Sequence, residues 1–241
     1  MRICIFGNTG FVGSTLCEHF RLGGHEVFGV NRSTTDIPTD YDLVINAAGN
    51  SVKYLANANP QMDFEKNVSI FSKIVGLNTK NMVHISSVDA DVKNTSNYSK
   101  SKRVSEYCAR TYFPEAIILR LGGLVGPNLR KNVIYDITNN RDLYVKFDSR
   151  FNFISTREIG AIIEDMLLKR TLGMTVNVAA QDSITVREII KLYRSLGHDF
   201  TGREGTELQD YSEVDIATLR NIRCPKTSKE YVLEYLEKDH I

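Results

Sequence analysis

The first half of the chain alternates short apolar runs with segments whose apolar residues recur at helical spacing. Arg2–Phe6 reads RICIF and is ended by Gly7, which indicates a short strand. In Phe11–Leu22 the apolar positions follow the helical period, and Gly23 ends the pattern. The same patterns predict further strands at Glu26–Val30, Leu43–Ile45, Met82–Ile85 and Ala116–Leu121, and helices at Met62–Leu77 and Asn97–Tyr112. Strands that are apolar on both faces and separated by helices predict a doubly wound parallel α/β sheet.

The pattern becomes less regular after Gly126 and Pro127. It predicts short strands at Leu143–Phe147, Phe151–Ile154 and Thr175–Ala179, and helices at Thr156–Leu168, Val186–Leu196 and Lys229–Glu237. Residues 198–215 are polar and contain two glycines, so we expect a flexible loop or lid there. We accordingly expect a core at residues 1–127 and a smaller C-terminal lobe at residues 128–241, from which a segment of about 151–180 returns to the core.

Composition and charge exclude several classes of protein. The 241 residues include 30 Lys+Arg and 29 Asp+Glu, a net charge of +1, which predicts no binding to nucleic acid. Cys4, Cys17, Cys108 and Cys224 are widely spaced, so neither a metal site nor a disulfide framework is expected. No apolar run approaches the roughly 20 residues that cross a bilayer, and the first strand leaves no room for a signal peptide. These features predict a cytoplasmic globular protein.

A glycine-rich turn lies between the first predicted strand and the first predicted helix. Its glycines are spaced by three in the sequence GNTGFVG. Such glycines permit a tight turn, a close approach of the backbone to a pyrophosphate and close helix packing, while the helix N-terminus directs N–H groups at the anion. We therefore predict a Rossmann-like dinucleotide site formed by Gly7, Asn8, Thr9, Gly10, Phe11, Val12 and Gly13. The alternative is a tight βα turn without a ligand.

The residues after the second strand bear on which dinucleotide binds. An acidic side chain there would bind a ribose 2′-hydroxyl and repel a 2′-phosphate, but the chain has Asn31, Arg32 and Ser33. Arg32 can pair with a 2′-phosphate and Ser33 can donate a hydrogen bond to it, which favours NADP(H). If Arg32 is only solvated, the site accepts NAD(H) as well.

Tyr98 and Lys102 lie four residues apart, on one face of a predicted helix. A phenol has a pKa of about 10, and a neighbouring ammonium lowers it because the positive charge favours the phenolate. Tyr98 is then able to exchange a proton with a substrate hydroxyl or ketone. Ser87 follows the fourth strand at the edge where such sheets bind ligands, and its hydroxyl is placed to hold the same oxygen. Because a Tyr-xxx-Lys pair alone is common on solvated helices, the inference depends on its combination with the glycine turn and Ser87.

The motifs occur together in one order along roughly the first two thirds of the chain. They are GNTGFVG at Gly7–Gly13, DLVINAAG at Asp42–Gly49, KNVSIF at Lys66–Phe71, VHISS at Val83–Ser87, YSKSKRVSE at Tyr98–Glu106, LRLGGLVGP at Leu119–Pro127 and FNFISTREIGAII at Phe151–Ile163. In this set and order the chain resembles an extended short-chain dehydrogenase/reductase of the NAD-dependent epimerase/dehydratase family.

The resemblance implies roles for individual residues. Ser87, Tyr98 and Lys102 match the catalytic triad of the family, and Asn67 matches a helix asparagine that supports the site. In addition to the glycine turn and residues 31–33, the resemblance implies three further groups of cofactor contacts. On the adenosine side they are Ala47, Ala48 and Gly49, and beside the nicotinamide they are Leu121, Gly122, Gly123 and Leu124. The third group comprises Asn67, Ile85, Ser86, Tyr98 and Lys102. The resemblance also implies a C-terminal substrate-binding lobe, and a homodimer formed through the helices near 62–77 and 97–112.

The function implied is an NAD(P)-dependent interconversion of hydroxyl and ketone on a small-molecule substrate, a nucleoside-diphosphate sugar. An epimerase would regenerate its cofactor in each turnover, whereas a keto-sugar reductase would need fresh NADPH, and the sequence leaves both open. Two further classes remain as alternatives. One is a non-catalytic NAD(P)-binding redox sensor, and the other is a reductase of a non-sugar carbonyl.

The sequence departs from the family pattern in three places. Only about ten residues separate the second and third predicted strands, so we expect a loop in place of the usual crossover helix. The segment between Ser87 and Tyr98 is short and lacks the Tyr-Gly pair of the family, which leaves the substrate class open. Val88 and Asp89 stand where the dehydratase branch has Asp-Glu, and because valine carries no acid, a 4,6-dehydratase is disfavoured.

Several other polar residues have a structural interpretation. We expect His84, in the fourth strand, to be held by local hydrogen bonds rather than to act as a catalytic acid. We expect Arg120 to be structural rather than a substrate contact. Lys146, Arg150 and Arg157 lie where the second lobe begins, and one of them is a candidate for binding a diphosphate.

Overall fold

The computed structural model describes residues 1–239, which form two compact units. The first unit comprises Met1–Leu121 and Ile159–Asn177, and the second comprises Gly122–Glu158 and the chain from Val178 onward. The strands are β1 (Arg2–Phe6), β2 (Glu26–Val30), β3 (Asp40–Asn46), β4 (Asn78–Ser87), β5 (Ile117–Leu121), β6 (Gly123–Val125), β7 (Arg150–Phe151), β8 (Phe153–Ser155), β9 (Thr175–Val178) and β10 (Ile184–Thr185). The helices are α1 (Phe11–Leu22), α2 (Lys53–Ala58), α3 (Pro60–Val68), α4 (Phe71–Ile74), α5 (Asn97–Tyr112), α6 (Val133–Thr138), α7 (Thr156–Leu168), α8 (Val186–Ser195), α9 (Ala217–Ile222) and α10 (Ser228–Lys238), with a single 3-10 turn at Val88–Ala90.

The first unit is built on a six-stranded sheet of order β2-β1-β3-β4-β5-β9. The adjacent pairs β1/β2, β1/β3, β3/β4 and β4/β5 are parallel. The strand order reverses at β1, whose Phe6 is in register with Val30 on one side and Asn46 on the other. At such a reversal the connections leave the sheet in opposite directions, which opens a crevice beyond the carboxyl ends of the strands. With helices flanking the sheet, the predicted Rossmann-like, doubly wound fold is confirmed.

Both faces of the central strands are buried, which explains why these strands are apolar throughout. Ile3–Phe6 in β1 and Leu43–Ile45 in β3 have no exposed surface. A parallel sheet with helices on both sides requires this continuous apolar pattern. The same burial raises the pKa of the Cys4 thiol to about 12, so this cysteine is an unreactive core residue.

Several predicted elements of the first unit are present, and two differ. α1, α5 and α7 have the predicted bounds, and no helix lies between β2 and β3, as expected. The helix predicted at Met62–Leu77 is instead divided into α3 and α4. Asn59 caps α3 by accepting the Met62 N–H at 3.0 Å, and Pro60 occupies its first turn, so this helix begins earlier than predicted. α2 was not predicted, because six residues are too few for a clear period.

The second unit contains two small sheets, in which β6 pairs in parallel with β8 and β7 antiparallel with β10. The strand predicted at Leu143–Phe147 is not formed, since Val145 makes only an isolated bridge, to Glu207. Neither α6 nor α9 was predicted.

Residues 198–215, where a flexible loop or lid is predicted, contain no helix or strand, but the central part of the segment is hydrogen-bonded to a second segment. Its backbone follows residues 143–150: the Lys146 N–H donates to Glu207 O at 2.7 Å, and the Arg150 N–H donates to Gln209 O at 2.8 Å. A polar composition did not reveal this arrangement, because the partners of the segment are backbone groups more than fifty residues away.

Three further observations bear on function. No helix within residues 1–239 is long and apolar enough to cross a membrane. Over the same part of the chain, no group of three or more His, Cys, Asp or Glu side chains is arranged to hold a metal ion. Of the basic candidates for a diphosphate, Arg157 donates two hydrogen bonds of 2.8 Å to Asp239, so its guanidinium is already paired.

Candidate active site

The turn after β1 brings the backbone of the first strand against that of the third. Gly7 has a φ of +79°, and a side-chain carbon there would lie 2.8 Å from the backbone of Ala47 and Ala48. Gly13, near the start of α1, lies over Gly7. A side-chain carbon on Gly13 would clash with the Gly7 carbonyl oxygen and lie 2.7 Å from the carbonyl carbon. Only glycine fits at these two positions, which gives the sequence motif its physical reason.

The N-terminus of α1 is suited to bind an anion, and a buried acceptor in the turn before it lacks a hydrogen-bond donor. α1 begins after Gly10, which has no side chain to cap the first N–H groups of the helix. Within residues 1–239, Asn8 Oδ1 is buried without a hydrogen-bond partner. Such a buried acceptor costs about 1–3 kcal/mol. A ligand that combines phosphates with hydroxyl or amino donors meets both requirements, so the residues present fit a dinucleotide.

The loop after β2 holds the three residues expected near the ribose. Asn31 Oδ1 accepts hydrogen bonds from the Ser33 backbone N–H at 2.9 Å and from the Ser33 hydroxyl at 2.7 Å. The Ser33 proton is therefore engaged within the turn, whereas Arg32 is exposed. Both side chains expected to contact a 2′-phosphate are exposed, but the Ser33 hydroxyl proton is already donated to Asn31.

α5 presents Tyr98 and Lys102 on one buried face. Ser96 caps the helix by accepting the Ser99 N–H at 3.2 Å, which fixes Tyr98 in the first turn. Both side chains are only 6% exposed, and Lys102 Nζ lies 5.6 Å from the centre of the Tyr98 ring. The four-residue spacing therefore places an ammonium against the phenol, as the sequence predicts.

Lys102 also reaches the turn that follows β3. At Gly49, where φ is +141°, a side-chain carbon would lie 3.3 Å from Lys102 Nζ and 2.6 Å from Asn67 Oδ1. The ammonium and the amide thus face the same backbone turn, two residues beyond Ala47, which borders Gly7. The structure brings these predicted residues together, although they come from four separate segments of the sequence.

Ser87 ends β4 and is bonded to Asp89, which the sequence analysis does not place among the site residues. Its Oγ donates to Asp89 Oδ2 at 3.1 Å and accepts the Asp89 N–H at 3.2 Å. Lys53 Nζ lies 2.7 Å from the same Oδ2. A serine followed two residues later by aspartate is a usable signal for such a turn, but nothing in the sequence connects Lys53 to it.

His84 is buried, and its two ring nitrogens bridge β3 and α5. Asn46 Nδ2 lies 3.2 Å from Nδ1, and Ser105 Oγ lies 3.0 Å from Nε2. Burial, with the charge of Lys102 as the second cause, lowers the pKa of His84 to about 3. The neutral ring accepts from Asn46 and donates to Ser105, so the expectation of a structural histidine is confirmed.

Lowering the pH from 7 to 5 is expected to destabilise the protein through His84. The unfolded chain binds a proton at this residue near pH 6.5, whereas the folded chain keeps it neutral, so its contribution to stability is present above that pH and is lost below it. The loss at pH 5 is about 2 kcal/mol. Urea unfolding at both pH values should show that His84→Gln loses about 2 kcal/mol less than the wild type. Equal losses in the two proteins would mean that His84 accepts a proton in the folded state.

Glu106 accepts hydrogen bonds from two other residues that the sequence analysis names, Ser86 and Arg120. Ser86 Oγ lies 2.5 Å from Glu106 Oε1, to which it donates. Arg120 donates to both carboxylate oxygens, at 2.9 and 2.7 Å. Arg120 therefore has the structural role expected for it, and the Ser86 hydroxyl is directed at α5. Ile85, which lies between His84 and Ser86 in β4, is also buried.

The residues expected beside the nicotinamide, Leu121–Leu124, stand where the first unit ends and the second begins. The Gly122 N–H donates to Val178 O at 2.9 Å, and a side-chain carbon at Gly123 would lie 2.9 Å from Asn152 O. A side-chain carbon at Gly122 would lie 3.1 Å from the Ala179 side chain and 3.2 Å from Asn152 O, so packing within the second unit accounts for both glycines.

Comparison with known proteins identifies the family. Residues 3–142 match the family described as NAD dependent epimerase/dehydratase, so the chain belongs to this family. Curated protein sequences give no significant match.

Solved structures agree with the fold at low sequence identity. A UDP-galactose 4-epimerase is 23% identical, with 98% of each chain covered and a TM-score of 0.79. A mutant UDP-glucuronic acid 4-epimerase from Bacillus cereus, in complex with UDP-4-deoxy-4-fluoro-glucuronic acid and NAD, is 15% identical, with 100% of this chain and 98% of that chain covered and a TM-score of 0.85. RMD from Pseudomonas aeruginosa, complexed with NADPH, is 17% identical, with 99% and 98% covered and a TM-score of 0.80.

Proposed function

We propose that this chain is an NAD(P)-dependent oxidoreductase of the extended short-chain type, which interconverts a hydroxyl and a ketone on a nucleoside-diphosphate sugar. The observation that carries the proposal is the approach of Lys102 Nζ and Asn67 Oδ1 to Gly49. This approach brings the ammonium beside Tyr98 to the carboxyl edge of the sheet, where the glycine turn also lies. The shared fold of two UDP-sugar 4-epimerases supports the substrate class.

The cofactor in this proposal is a nicotinamide dinucleotide, which supplies the acceptor and the donor of hydride when bound. The N-terminus of α1 would hold its pyrophosphate, and Asn8 would accept a hydrogen bond from its nucleoside part. We assign NADP(H) as the preferred form because Arg32 is exposed and residues 31–33 include no acid to repel a 2′-phosphate. NAD(H) is the alternative, and the solved neighbours include complexes with NAD and with NADPH.

Tyr98 is assigned the proton transfer at the reacting oxygen. The Lys102 ammonium lies over its ring, and in this role the Tyr98 oxygen accepts a proton from a substrate hydroxyl or donates one to a ketone. Ser87 is assigned to hold the same oxygen. Because its own proton points at Asp89, Ser87 presents a lone pair to a substrate hydroxyl and must turn its hydroxyl to donate to a ketone.

Two reactions fit these roles. The exposed Arg32 favours a keto-sugar reductase, because a 2′-phosphate selects the cofactor that cells keep reduced. The folds of the two 4-epimerases favour an epimerase, which would oxidise its substrate and reduce it again on the other face.

The partner of the chain in this proposal is a second copy of itself. α3 and α5 pack against each other and expose apolar side chains, with Phe64 48% and Tyr107 71% exposed. Lys100, Arg103 and Val104 lie beside Tyr107 and line a shallow groove with it. A homodimer through these two helices would cover the apolar surface, and its mass is measurable by light scattering.

The proposal is tested by denaturing the purified protein and identifying any nucleotide that it releases. Retention of NAD(H) or NADP(H) at about one molecule per protein chain supports the proposal. It favours an epimerase, which has no need to exchange its cofactor. A nucleotide-free protein that binds NADPH more tightly than NADH supports a reductase. A protein that retains neither and binds neither contradicts the assignment of the glycine turn.

The substrate class is tested on the same protein by thermal unfolding in the presence of UDP-, GDP- and dTDP-sugars. A ligand at 100 times its Kd is expected to stabilise the folded state by about 2.7 kcal/mol. Stabilisation by one of the three identifies the nucleotide. No shift with any of them would contradict a sugar-nucleotide substrate and favour a reductase of another carbonyl compound.

A further inference from the structure

Polar groups of three segments meet at one buried carboxylate, that of Asp63. Asp63 lies in α3 and is 1% exposed. Its Oδ1 accepts hydrogen bonds from Asn50 Nδ2 at 2.7 Å and from Asn67 Nδ2 at 3.1 Å, and its Oδ2 accepts a hydrogen bond from Ser101 Oγ. The donors belong to the turn after β3, to α3 itself and to α5.

Two of these donors adjoin the proposed active site. Ser101 stands between Tyr98 and Lys102 in the sequence, and its Oγ also lies 3.1 Å from the Tyr98 carbonyl oxygen. Asn50 follows Gly49, the residue against which Lys102 Nζ lies. A single carboxylate is thus bonded both to the helix that carries Tyr98 and to the turn that faces the ammonium.

The carboxylate also decides which way the Asn67 amide points. Besides Asp63 Oδ1, Asn67 Nδ2 donates to the Asp63 carbonyl oxygen at 2.8 Å and lies 3.1 Å from Ser101 Oγ. With the amino group held there, Oδ1 points the other way and accepts the Asn50 N–H at 3.1 Å. A reversed amide would set its oxygen against the carboxylate and its amino group against the Asn50 N–H, which are two repulsive contacts.

The contacts of Asp63 are with neutral donors. The three side chains that donate to its carboxylate, Asn50, Asn67 and Ser101, are all uncharged. A buried charge is unfavourable unless its hydrogen bonds are all formed, and bonds to a charged acceptor are roughly twice as strong as neutral ones. An apolar side chain would remove the charge but would leave Asn50, Asn67 and Ser101 without their common acceptor.

We propose that Asp63 is a positioning residue for the catalytic pair. It holds Asn67 and Ser101 so that Lys102 stays against Gly49 and the first turn of α5 keeps Tyr98 in place. Its effect on turnover rests on the proposed function, whereas its effect on the arrangement does not. Two experiments therefore test the proposal separately.

The first experiment measures amide hydrogen exchange in Asp63→Ala. The Asn50 N–H is expected to exchange at least about tenfold faster relative to the core N–H of Val44, because both the Asn50 side chain and the Asn67 amide lose their bonds to the carboxylate, although Asn67 keeps its bond to the backbone carbonyl of residue 63. Ile74→Val, which removes one buried methyl group outside the network, is the control for general loosening. In the control the two amides should accelerate by the same factor. Equal acceleration of both amides in Asp63→Ala would overturn the proposal.

The second experiment compares Asp63→Ala with the conservative variant Asp63→Asn. Asparagine keeps an oxygen that accepts from Asn50 and Asn67, and Ser101 is then able to donate to the Tyr98 carbonyl. We expect kcat to fall about 100-fold in the alanine variant and to recover to within about tenfold of the wild type in the asparagine variant.

The outcomes of the second experiment separate the two proposals. A folded Asp63→Ala protein with the kcat of the wild type would overturn the positioning role, and so would a loss that asparagine does not reduce. If the wild-type protein turns over no sugar nucleotide, the proposed function fails. The hydrogen-exchange rate of the Asn50 N–H then tests the positioning role of Asp63 without any measurement of turnover.

Discussion

Replacing Tyr98 with phenylalanine is expected to lower kcat by about 10²–10⁴-fold while the Kd for the cofactor stays within about threefold of its wild-type value. The change removes one oxygen atom and keeps the ring that lies 5.6 Å from Lys102 Nζ. Packing and the position of the ammonium should therefore persist. What is lost is the group that exchanges a proton with the substrate, so the effect should fall on the chemical step.

The measurement is steady-state turnover of whichever sugar nucleotide stabilises the protein, together with a fluorescence titration of NADPH. Tyr112→Phe is the matched control, because Tyr112 ends the same helix but is 58% exposed. Its kcat should equal that of the wild type. A Tyr98→Phe protein with undiminished turnover would contradict the assigned chemistry. Cofactor binding without turnover of any substrate in the wild type would favour the redox sensor.

Replacing Gly13 with alanine is expected to weaken cofactor binding by about 100-fold, which corresponds to about 2.8 kcal/mol. The added carbon would clash with the Gly7 carbonyl oxygen, and both partners are backbone, so no side chain can move aside. The start of α1 must shift away from the turn, and its N–H groups would no longer meet the pyrophosphate together. Overpacking of this kind also lowers the free energy of unfolding by about 1–3 kcal/mol.

Gly76→Ala is the control for this substitution, since a side-chain carbon at Gly76 would meet nothing within 4 Å. Its cofactor affinity and its stability should match those of the wild type. Calorimetric titration with NADPH and urea unfolding measure the two quantities. If Gly13→Ala bound the cofactor with wild-type affinity, the glycine turn would not be the phosphate site. This result would contradict the cofactor site of the proposed function.

The sequence is informative where the interactions that shape the chain are local. The bounds of α5 follow from its Ser96 cap and its helical period, and the spacing of Tyr98 and Lys102 then places both on one face. The turn is local at Gly13, which is required by the Gly7 backbone six residues away, and Gly7 is required by its own φ of +79° as well as by the distant backbone of Ala47. These features were predictable without knowledge of the fold.

The sequence is less informative where a residue is defined by a distant partner. The segment 198–215 looks like a loop by composition, yet its backbone is bonded along residues 143–150. His84 is neutral because it is buried and lies near the charge of Lys102, and only the first of these causes is visible in a strand pattern.

By itself, the sequence determined the βαβ order, the glycine turn and the Tyr98–Lys102 face, since periodicity and backbone sterics act between near neighbours. The tertiary structure alone decided that Lys53 pairs with Asp89 and that Asp63 joins α3 to Ser101 of α5. Each of these groups is polar and, read in sequence, is indistinguishable from a solvated surface residue. Their pairing depends on which segments the sheet brings together, and burial then makes every unformed hydrogen bond unfavourable.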